Sequence, residues 1–492
     1  MALSTIAFDN SYAALPDTFH SAQAPTPVEA PALVAVNDTL AGSLGLDPDW
    51  LRSDEGVAML AGNQIPPGAT PIATVYAGHQ FGGFNPQLGD GRAVLLGEVL
   101  DAQGNRFDLQ LKGAGRTPYS RGGDGRSPLG PVLREYLLSE AMHVLGVPTT
   151  RALGAATTGE LVYREEALPG AVLARVASSH IRVGTFEFFA ARREEEALRT
   201  LADHVIARHY PDCRDSENPY EQLLYRVIAA QAELVARWHL LGFIHGVMNT
   251  DNMLICGETV DYGPCAFMDT FNPTQVYSSI DHQGRYAYRN QPGIAHWNLS
   301  RLAQSLVPLL HTDSEQAVAL AQTAIDTFPA TFDAARATGM AAKLGLPALA
   351  ESDTVLVEEL WELLAGERLD FTLTFRRLTE LANPDLPGDS VAPLLSLPDS
   401  LSRWTQKWLS RLEAADTTGS GRAAMCRANP AIIPRNHQVE AVIASGTYQG
   451  NLEPFHALAA ALASPFELRA ETAEFARPPE AGEIVHQTFC GT

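Results

Sequence analysis

Two short stretches hold side chains suited to chemistry on a phosphate–metal centre. The string His245-Gly-Val-Met-Asn-Thr-Asp-Asn252 is followed, beyond a turn at Gly257, by Asp261-Tyr262-Gly263. Oxygen ligands from Asn252 and Asp261 on neighbouring loops can converge on one Mg²⁺, which needs few protein ligands because phosphates and water complete its shell. Upstream, Lys112 ends the string DLQLK and Glu135 stands in REYLLSEAM; a carboxylate so placed can orient a lysine towards phosphate. The glycines of QLGDGRA (Gly89 and Gly91, followed by Arg92) let backbone N–H groups approach an anion, although such a pair is equally an ordinary turn. Arg175 and Arg182 have the fork geometry for bidentate phosphate contact, and interlobe salt bridges are the alternative use of both.

The elements that position these residues are legible in the periodicity. Residues 1–65 are Pro-rich and weakly periodic, and are expected to form an extended arm. TPIATVYAGHQ, RAVLLGEVL and RFDLQLKG read as strands, the last two joined as a hairpin by the DAQGN turn. A helix follows with Pro131 in its first turn, Gly146 at its exit and Pro148 beyond. Its apolar face is Leu133, Tyr136, Leu137, Ala141 and Val144. ALGAATTGELVYREEALPGAVLARVA reads as two further strands. Helices are expected over 187–209, 220–241, 297–310, 317–339 and 355–364, and a short β segment over HGVMNTDNMLIC and VDYG.

Residue types and chain order together follow the protein-kinase arrangement: strand lysine, helix glutamate, catalytic-loop asparagine, metal-binding aspartate. The interval from His245 to Asn252 equals that of the kinase catalytic loop, and Tyr262 replaces the usual Phe. Val247 stands where a kinase carries its catalytic aspartate, and a valine cannot accept a proton. The nearest carboxylate is Asp251, which can act as base from a different angle. If Arg175 and Arg182 bind phosphate, the triphosphate lies at the hinge end of the cleft and the α-phosphorus faces the acceptor. The transferred group is then AMP. Ordinary γ-phosphoryl transfer and a non-catalytic, nucleotide-binding pseudokinase remain the alternatives.

The expected fold class is α+β, a protein-kinase-like bilobal fold with N-terminal and C-terminal extensions. Its expected parts are an extension over 1–65, an N-lobe over 66–182, a helical C-lobe over 183–392 and a helical C-terminal extension over 393–492, with a hinge near 174–183. The 35 Lys and Arg against 57 Asp and Glu, a net charge of −22, argue against nucleic acid as partner. No apolar run approaches the ~20 residues of a membrane span, and the N-terminus lacks a signal-peptide pattern. Five sparse cysteines without a CxxC pair fit a cytoplasmic protein. A monomer is expected. His79 and His245 read as structural hydrogen bonders and Arg435 as a packing or salt-bridge residue.

The strings YAGHQFGGFNPQLGDGRA, LQLKGAGRTPYSRGGDGR, REYLLSEAM, HGVMNTDNM, DYGPCAFMD, NQPGIAHWNLSRLAQSL and NPAIIPRNHQVE resemble those of the selenoprotein O family of protein adenylyltransferases, from about Leu33 onward. The resemblance implies transfer of AMP from ATP to Ser, Thr or Tyr hydroxyls of protein substrates, with release of pyrophosphate and with ATP inverted relative to kinases. It implies ATP contacts from Gly89, Gly91, Arg92, Lys112, Asp124, Gly125, Arg175, Arg182 and Asp261. It further implies metal ligation (Mg²⁺, with Mn²⁺ the alternative) by Asn252 and Asp261, a Lys112–Glu135 pair, and Asp251 as proton acceptor. Cys490 stands where animal members carry selenocysteine, and bacterial members can link it to a cysteine in the position of Cys265. The SPLGP portion after Arg126 departs from the commoner family pattern.

Overall fold

Alternating apolar residues between positions 20 and 177 build one large antiparallel sheet in the computed structural model, which describes residues 6–489. Its strands are β1 (His20–Ala22), β2 (Ala32–Val36), β3 (Ile72–Gln80), β4 (Gly83–Gly89), β5 (Ala93–Leu100), β6 (Arg106–Lys112), β7 (Ser127–Pro128), β8 (Arg151–Tyr163) and β9 (Ala167–Ala177). The order is β1-β3-β5-β6-β9-β8-β2, with β4 on β3 and β7 on β9. The β5–β6 hairpin forms as expected, because Asp101 Oδ1 accepts from the backbone N–H groups of Gln103 and Asn105 and so closes the turn. Its register sets Ala93 opposite Lys112, and the next pair of strands sets Gln110 opposite Arg175. Residues two apart on a strand share a face. Gln110 and Lys112 therefore project the same way.

The N-terminal arm is more structured than its composition suggests. Besides β1 and β2 it holds the short helices α1 (Asp38–Ser43), α2 (Pro48–Arg52) and α3 (Asp54–Leu60), each started by a capping side chain from Asn37, Asp47 or Ser53. Leu40, Leu44, Leu51 and Leu60 pack with Leu96, Leu109 and Val172 of the sheet. A sheet face that would otherwise meet water is covered in this way.

One long helix, α4 (Leu129–Val144), crosses the sheet's other face, starts with Pro131 in its first turn and stops before Gly146. After β9 the chain is largely helical: α5 (Val183–Arg192), α6 (Glu195–His209), α7 (Pro219–Leu241), α8 (Gln291–Leu310), α9 (Ser314–Ile325), α10 (Phe328–Lys343), α11 (Thr354–Gly366) and α12 (Phe371–Ala382). The C-terminal stretch adds α13 (Asp399–Ala415), α14 (Ser420–Ala428), α15 (Asn436–Gln449), α16 (Glu453–Leu462) and α17 (Ala473–Ala476). Three expectations need correction. The helix expected over 187–209 is two helices, broken where Arg193 adopts a left-handed φ of 60°. That expected over 317–339 is also two, because the chain restarts at Phe328 with Pro329 in the new first turn. The expected β segment over 245–263 is a loop with one 3-10 turn at Thr250–Asn252, flanked by the two-residue strands β10 (Phe243–Ile244) and β11 (Ala266–Phe267). Two residues of pairing suffice to hold both ends of that loop together.

The helix α7 shows how firmly local signals set an element. Asn218 caps it, accepting from the Glu221 N–H, Pro219 opens it, and Gly242 closes it in the left-handed region. Its buried stripe of Leu223, Val227, Leu234 and Trp238 joins a core that continues through α4 and α8. Among the described residues no helix is long and apolar enough to cross a membrane.

Candidate functional site

Between the sheet and the helical region lies an open cavity of about 510 Å³. Its walls include Gly89, Gly91, Arg92, Lys112, Asp124, Gly125, Glu135, Arg175, Arg182, Asp251, Asn252 and Asp261. Every nucleotide, metal and base candidate from the sequence is thus brought to one place. Cys490 lies outside the described residues, so its pairing with Cys265 does too. Nearby, Thr488 donates to the Pro264 carbonyl at 2.6 Å, which brings the described end of the chain beside that segment.

The centre of the site is Asp261. Its carboxylate meets Lys112 Nζ at 2.5 Å, Arg175 Nη1 at 2.7 Å and Arg182 Nη1 at 3.2 Å. Burial works to raise this carboxyl, but Lys112, then Arg175 and Arg182, outweigh it and hold it well below the usual carboxylate range. Asp261 has a φ of 62°, a conformation that aspartate tolerates better than most residues and that costs about 1 kcal/mol or more. The lysine is held from its other side by Glu135 of α4 at 2.5 Å, and the same carboxylate accepts from Arg175 at 3.0 Å. Gln110 completes the array by accepting from Arg175 Nε at 2.8 Å. The salt bridges weighed for Arg175 and Arg182 are therefore present, and both guanidiniums still line the cavity.

Asp251 occupies a different environment. Arg182 donates to its backbone carbonyl at 2.6 Å and Gln80 donates to its Oδ2 at 3.0 Å, while its buried Oδ1 has no hydrogen-bond partner. Burial pushes its carboxyl up to about 6, with Arg182 and the Gln80 hydrogen bond pulling the other way. A buried carboxylate near that value can take a proton at neutral pH. Two carboxyls in one cavity are thus driven apart, Asp261 fixed as an anion and Asp251 poised to titrate. Val247, at the position where a base was expected to be missing, supplies the carbonyl that accepts from Asn252 Nδ2 at 3.0 Å.

That hydrogen bond orients the Asn252 amide and leaves its Oδ1 as the remaining acceptor. With the Asp261 carboxylate it makes an all-oxygen pair, and the unpartnered Asp251 Oδ1 lies in the same cavity. The donor set fits Mg²⁺, a hard cation that takes most of its shell from phosphate and water. Among the described residues there is no group of three or more His, Cys, Asp or Glu that could hold a metal by itself.

The glycine-bearing loops form the outer wall. Gly125 has a φ of 69°, and a Cβ there would lie 2.0 Å from the Gly115 carbonyl oxygen, so only glycine fits. The SPLGP portion starts with Ser127 and Pro128, which pair as β7 with β9. Asp124 forms an ion pair with Arg164 at 2.8 Å, on the half-exposed rim.

Several site residues escaped the sequence reading. Asp90 accepts from Thr74 through Oδ2, and its buried Oδ1 lies 3.8 Å from Arg182. The Arg182 guanidinium sits 4.5 Å from the Tyr76 ring centre. Arg121, Arg126 and Arg164 add to Arg92, Lys112, Arg175 and Arg182, so seven cationic residues line the cavity beside five carboxylates (Asp90, Asp124, Glu135, Asp251, Asp261). The chain as a whole carries 57 acidic and 35 basic residues. The local inversion of sign marks an anion site. A concentration of arginines in RTPYSRGGDGR was the available signal for Arg121 and Arg126; nothing local pointed to Arg164. His79 and His245 act as structural hydrogen bonders. His79 Nδ1 meets Glu187 at 2.5 Å, and His245 Nε2 meets the Val260 carbonyl at 3.0 Å. Arg435 pairs with Asp269 and, at 2.8 Å, with Asp370.

Comparison with known proteins gives a consistent result. A family model described as Protein adenylyltransferase SelO matches residues 2–463. A protein of Rhodopseudomonas palustris (strain BisB5) named protein nucleotidyltransferase YdiU is 57% identical, covering 99% of each chain. The protein of that name from Bradyrhizobium diazoefficiens is 56% identical over 99% of each chain. Its counterpart from Rhizobium etli is 55% identical over 99% of this chain and 97% of that one.

Proposed function

The chain belongs to the SelO family of protein adenylyltransferases, and on that premise we propose that it transfers AMP from ATP to Ser, Thr or Tyr hydroxyls of proteins and releases pyrophosphate. The observation that carries the residue-level reading is the convergence of Lys112, Arg175 and Arg182 on Asp261, in one cavity with a second carboxylate, Asp251, which burial raises to about 6.

The array supports a protein-kinase-like arrangement, with a strand lysine on a helix glutamate and an Asn/Asp pair from the following loops. In this reading the N-lobe spans 66–182 and the helical C-lobe 183–392, joined at the hinge after β9, with extensions over 1–65 and 393–492. Lys112, Arg175 and Arg182 neutralise triphosphate charge, and Arg92, Asp124 and the backbone around Gly89, Gly91 and Gly125 line the nucleotide's path. Asn252 and Asp261 would hold Mg²⁺, which when bound would offset charge on the phosphate oxygens. With Arg175 and Arg182 taking the phosphates, the α-phosphorus faces the acceptor in this reading.

Asp251 takes the proton of the acceptor hydroxyl. The hydroxyl oxygen forms a bond to the α-phosphorus, and the bond from that phosphorus to the bridging oxygen of the β-phosphate breaks. The electron pair leaves with pyrophosphate. Positioning and electrostatic stabilisation supply most of the acceleration. Parallel incubation of a lysate with α-labelled and γ-labelled ATP tests this. Label from the α position alone, with AMP-sized mass additions, is expected; γ label on protein would identify phosphoryl transfer instead.

A further inference from the structure

The β3–β4 turn forms one lip of the cavity mouth and is firmly seated. The Phe81 N–H donates to Asn249 Oδ1 at 3.1 Å and to the Tyr286 hydroxyl at 3.2 Å. Yet large apolar side chains face solvent around it: Phe81 is 37% exposed, Phe84 42% and Ile280 53%. Phe81 and Ile280 also line the cavity. Behind Phe84 the His79 ring packs at 4.9 Å from it, and edge-on against Trp297 at 5.2 Å. Trp297 in turn has the Arg285 guanidinium at 4.9 Å and that of Arg301 at 5.1 Å.

These two arginines differ from Arg175 and Arg182, which pair with carboxylates inside the cavity. Among the described residues neither Arg285 nor Arg301 forms an ion pair, and the Nε of each is buried without a hydrogen-bond partner. The carboxylate nearest in the chain, Asp281, accepts instead from the backbone N–H groups of Arg285 and Tyr286, at 2.9 and 2.8 Å. In a chain with a net charge of −22, two stacked guanidiniums without a counter-charge beside an exposed aromatic cluster match a ligand that brings both a carboxylate and apolar surface.

We propose that this lip docks the acceptor polypeptide and selects segments carrying an Asp or Glu and an apolar side chain near the hydroxyl to be modified. The inference rests on the adenylyl-transfer reading of the adjoining cavity. Gln80, next to Phe81, donates to Asp251, so a hydroxyl reaching Asp251 passes the turn. Arg285 lies against Gly82, where a Cβ would be 3.7 Å from its guanidinium carbon. The selected carboxylate is therefore expected at positions flanking the hydroxyl along the acceptor segment.

Oriented libraries of short peptides, each with one Ser, Thr or Tyr and α-labelled ATP as donor, test this with the full chain. Wild type is expected to prefer Asp or Glu at those positions. Arg285→Glu is expected to shift the preference to Lys or Arg, with acceptor KM for the best wild-type peptide rising about tenfold, the scale of a lost interfacial charge contact. Phe84→Ser is expected to lower apolar selectivity while keeping the acidic preference. Nucleotide affinity, read by direct ATP titration, is the control that each variant is folded. If Arg285→Glu binds ATP as wild type does and keeps wild-type peptide selection and KM, the docking proposal is overturned and the transfer reading stands. If wild type adenylylates no peptide and no lysate protein, the transfer reading fails and the docking proposal with it.

Discussion

Asp251 is built to change charge near neutrality, and its geometry shows how closely. A Cβ on Gly78 would fall 2.7 Å from Asp251 Oδ1, so the carboxylate rests directly on the β3 backbone. Gly78→Ala is expected to displace it and lower kcat by about 10²-fold, the scale of a small misplacement of a reacting group. ATP affinity should change little, and steady-state kinetics with a nucleotide titration separate the two. Asp251→Asn is expected to abolish transfer. The wild-type rate should rise with pH through about 6 and level off above it, since the base must be ionised. The same shift sets the sign of a stability effect. The folded value, about 6, lies above the ordinary 3.8, so ionisation costs stability once pH passes the folded value, and the cost is absent below 3.8. Asp251→Asn should therefore raise Tm at pH 8 by an amount equivalent to at most about 3 kcal/mol, and the gain should vanish near pH 3.5. Another carboxyl that burial raises, Glu258, to about 7, hydrogen-bonds Ser178 and does not line the cavity.

At the scale of elements, α4 is the part whose setting matters most, because it carries Glu135. Twelve of its sixteen residues are buried, more than one apolar face accounts for. The sheet covers one side and α15 and α16 cover the other, with Leu133 against Gly446 and Tyr136 edge-on to Phe455 at 5.4 Å. Arg134 ties three segments: it donates to the Cys265 carbonyl at 3.0 Å, to Asn436 Oδ1 at 3.2 Å, and pairs with Glu440. Arg134→Ala removes the donor from a buried carbonyl and is expected to cost about 2–4 kcal/mol, measured by urea unfolding. Weaker ATP binding should accompany it, because Glu135 loses its fixed position beside Lys112. The helical period of α4 was plain in the sequence. That both of its faces are buried was not, since the second partner comes from more than 300 residues later in the chain.

For the molecule as a whole, the C-terminal helical stretch is part of the main core. Ile432, Ile433, Val439, Phe455 and Leu458 are fully or almost fully buried in the same apolar cluster as Leu133 and Leu137 of α4. A chain ending at residue 392 would expose that face and is expected to be insoluble or to lack a cooperative thermal transition, as followed by circular dichroism. A soluble, cooperatively folding truncation that binds ATP would show the extension to be an independent unit.

By itself the sequence determined which chemistry was possible. Lys112, Glu135, Asn252 and Asp261 have the right types in the right order on elements whose caps and turns are local, and Asn218, Pro219 and Gly242 delimit α7 without help from the rest of the chain. Local spacing carries such signals because capping, turn closure and side-chain periodicity act within a few residues. Only the tertiary structure decided which of two similar aspartates stays charged. Asp251 is raised because it is buried with one oxygen unpaired, and Asp261 is lowered because three cations from β6, β9 and the start of α5 reach it. Those partners lie between 69 and 171 positions away in the chain. Desolvation and Coulomb interaction depend on distance in space, which sequence spacing does not report.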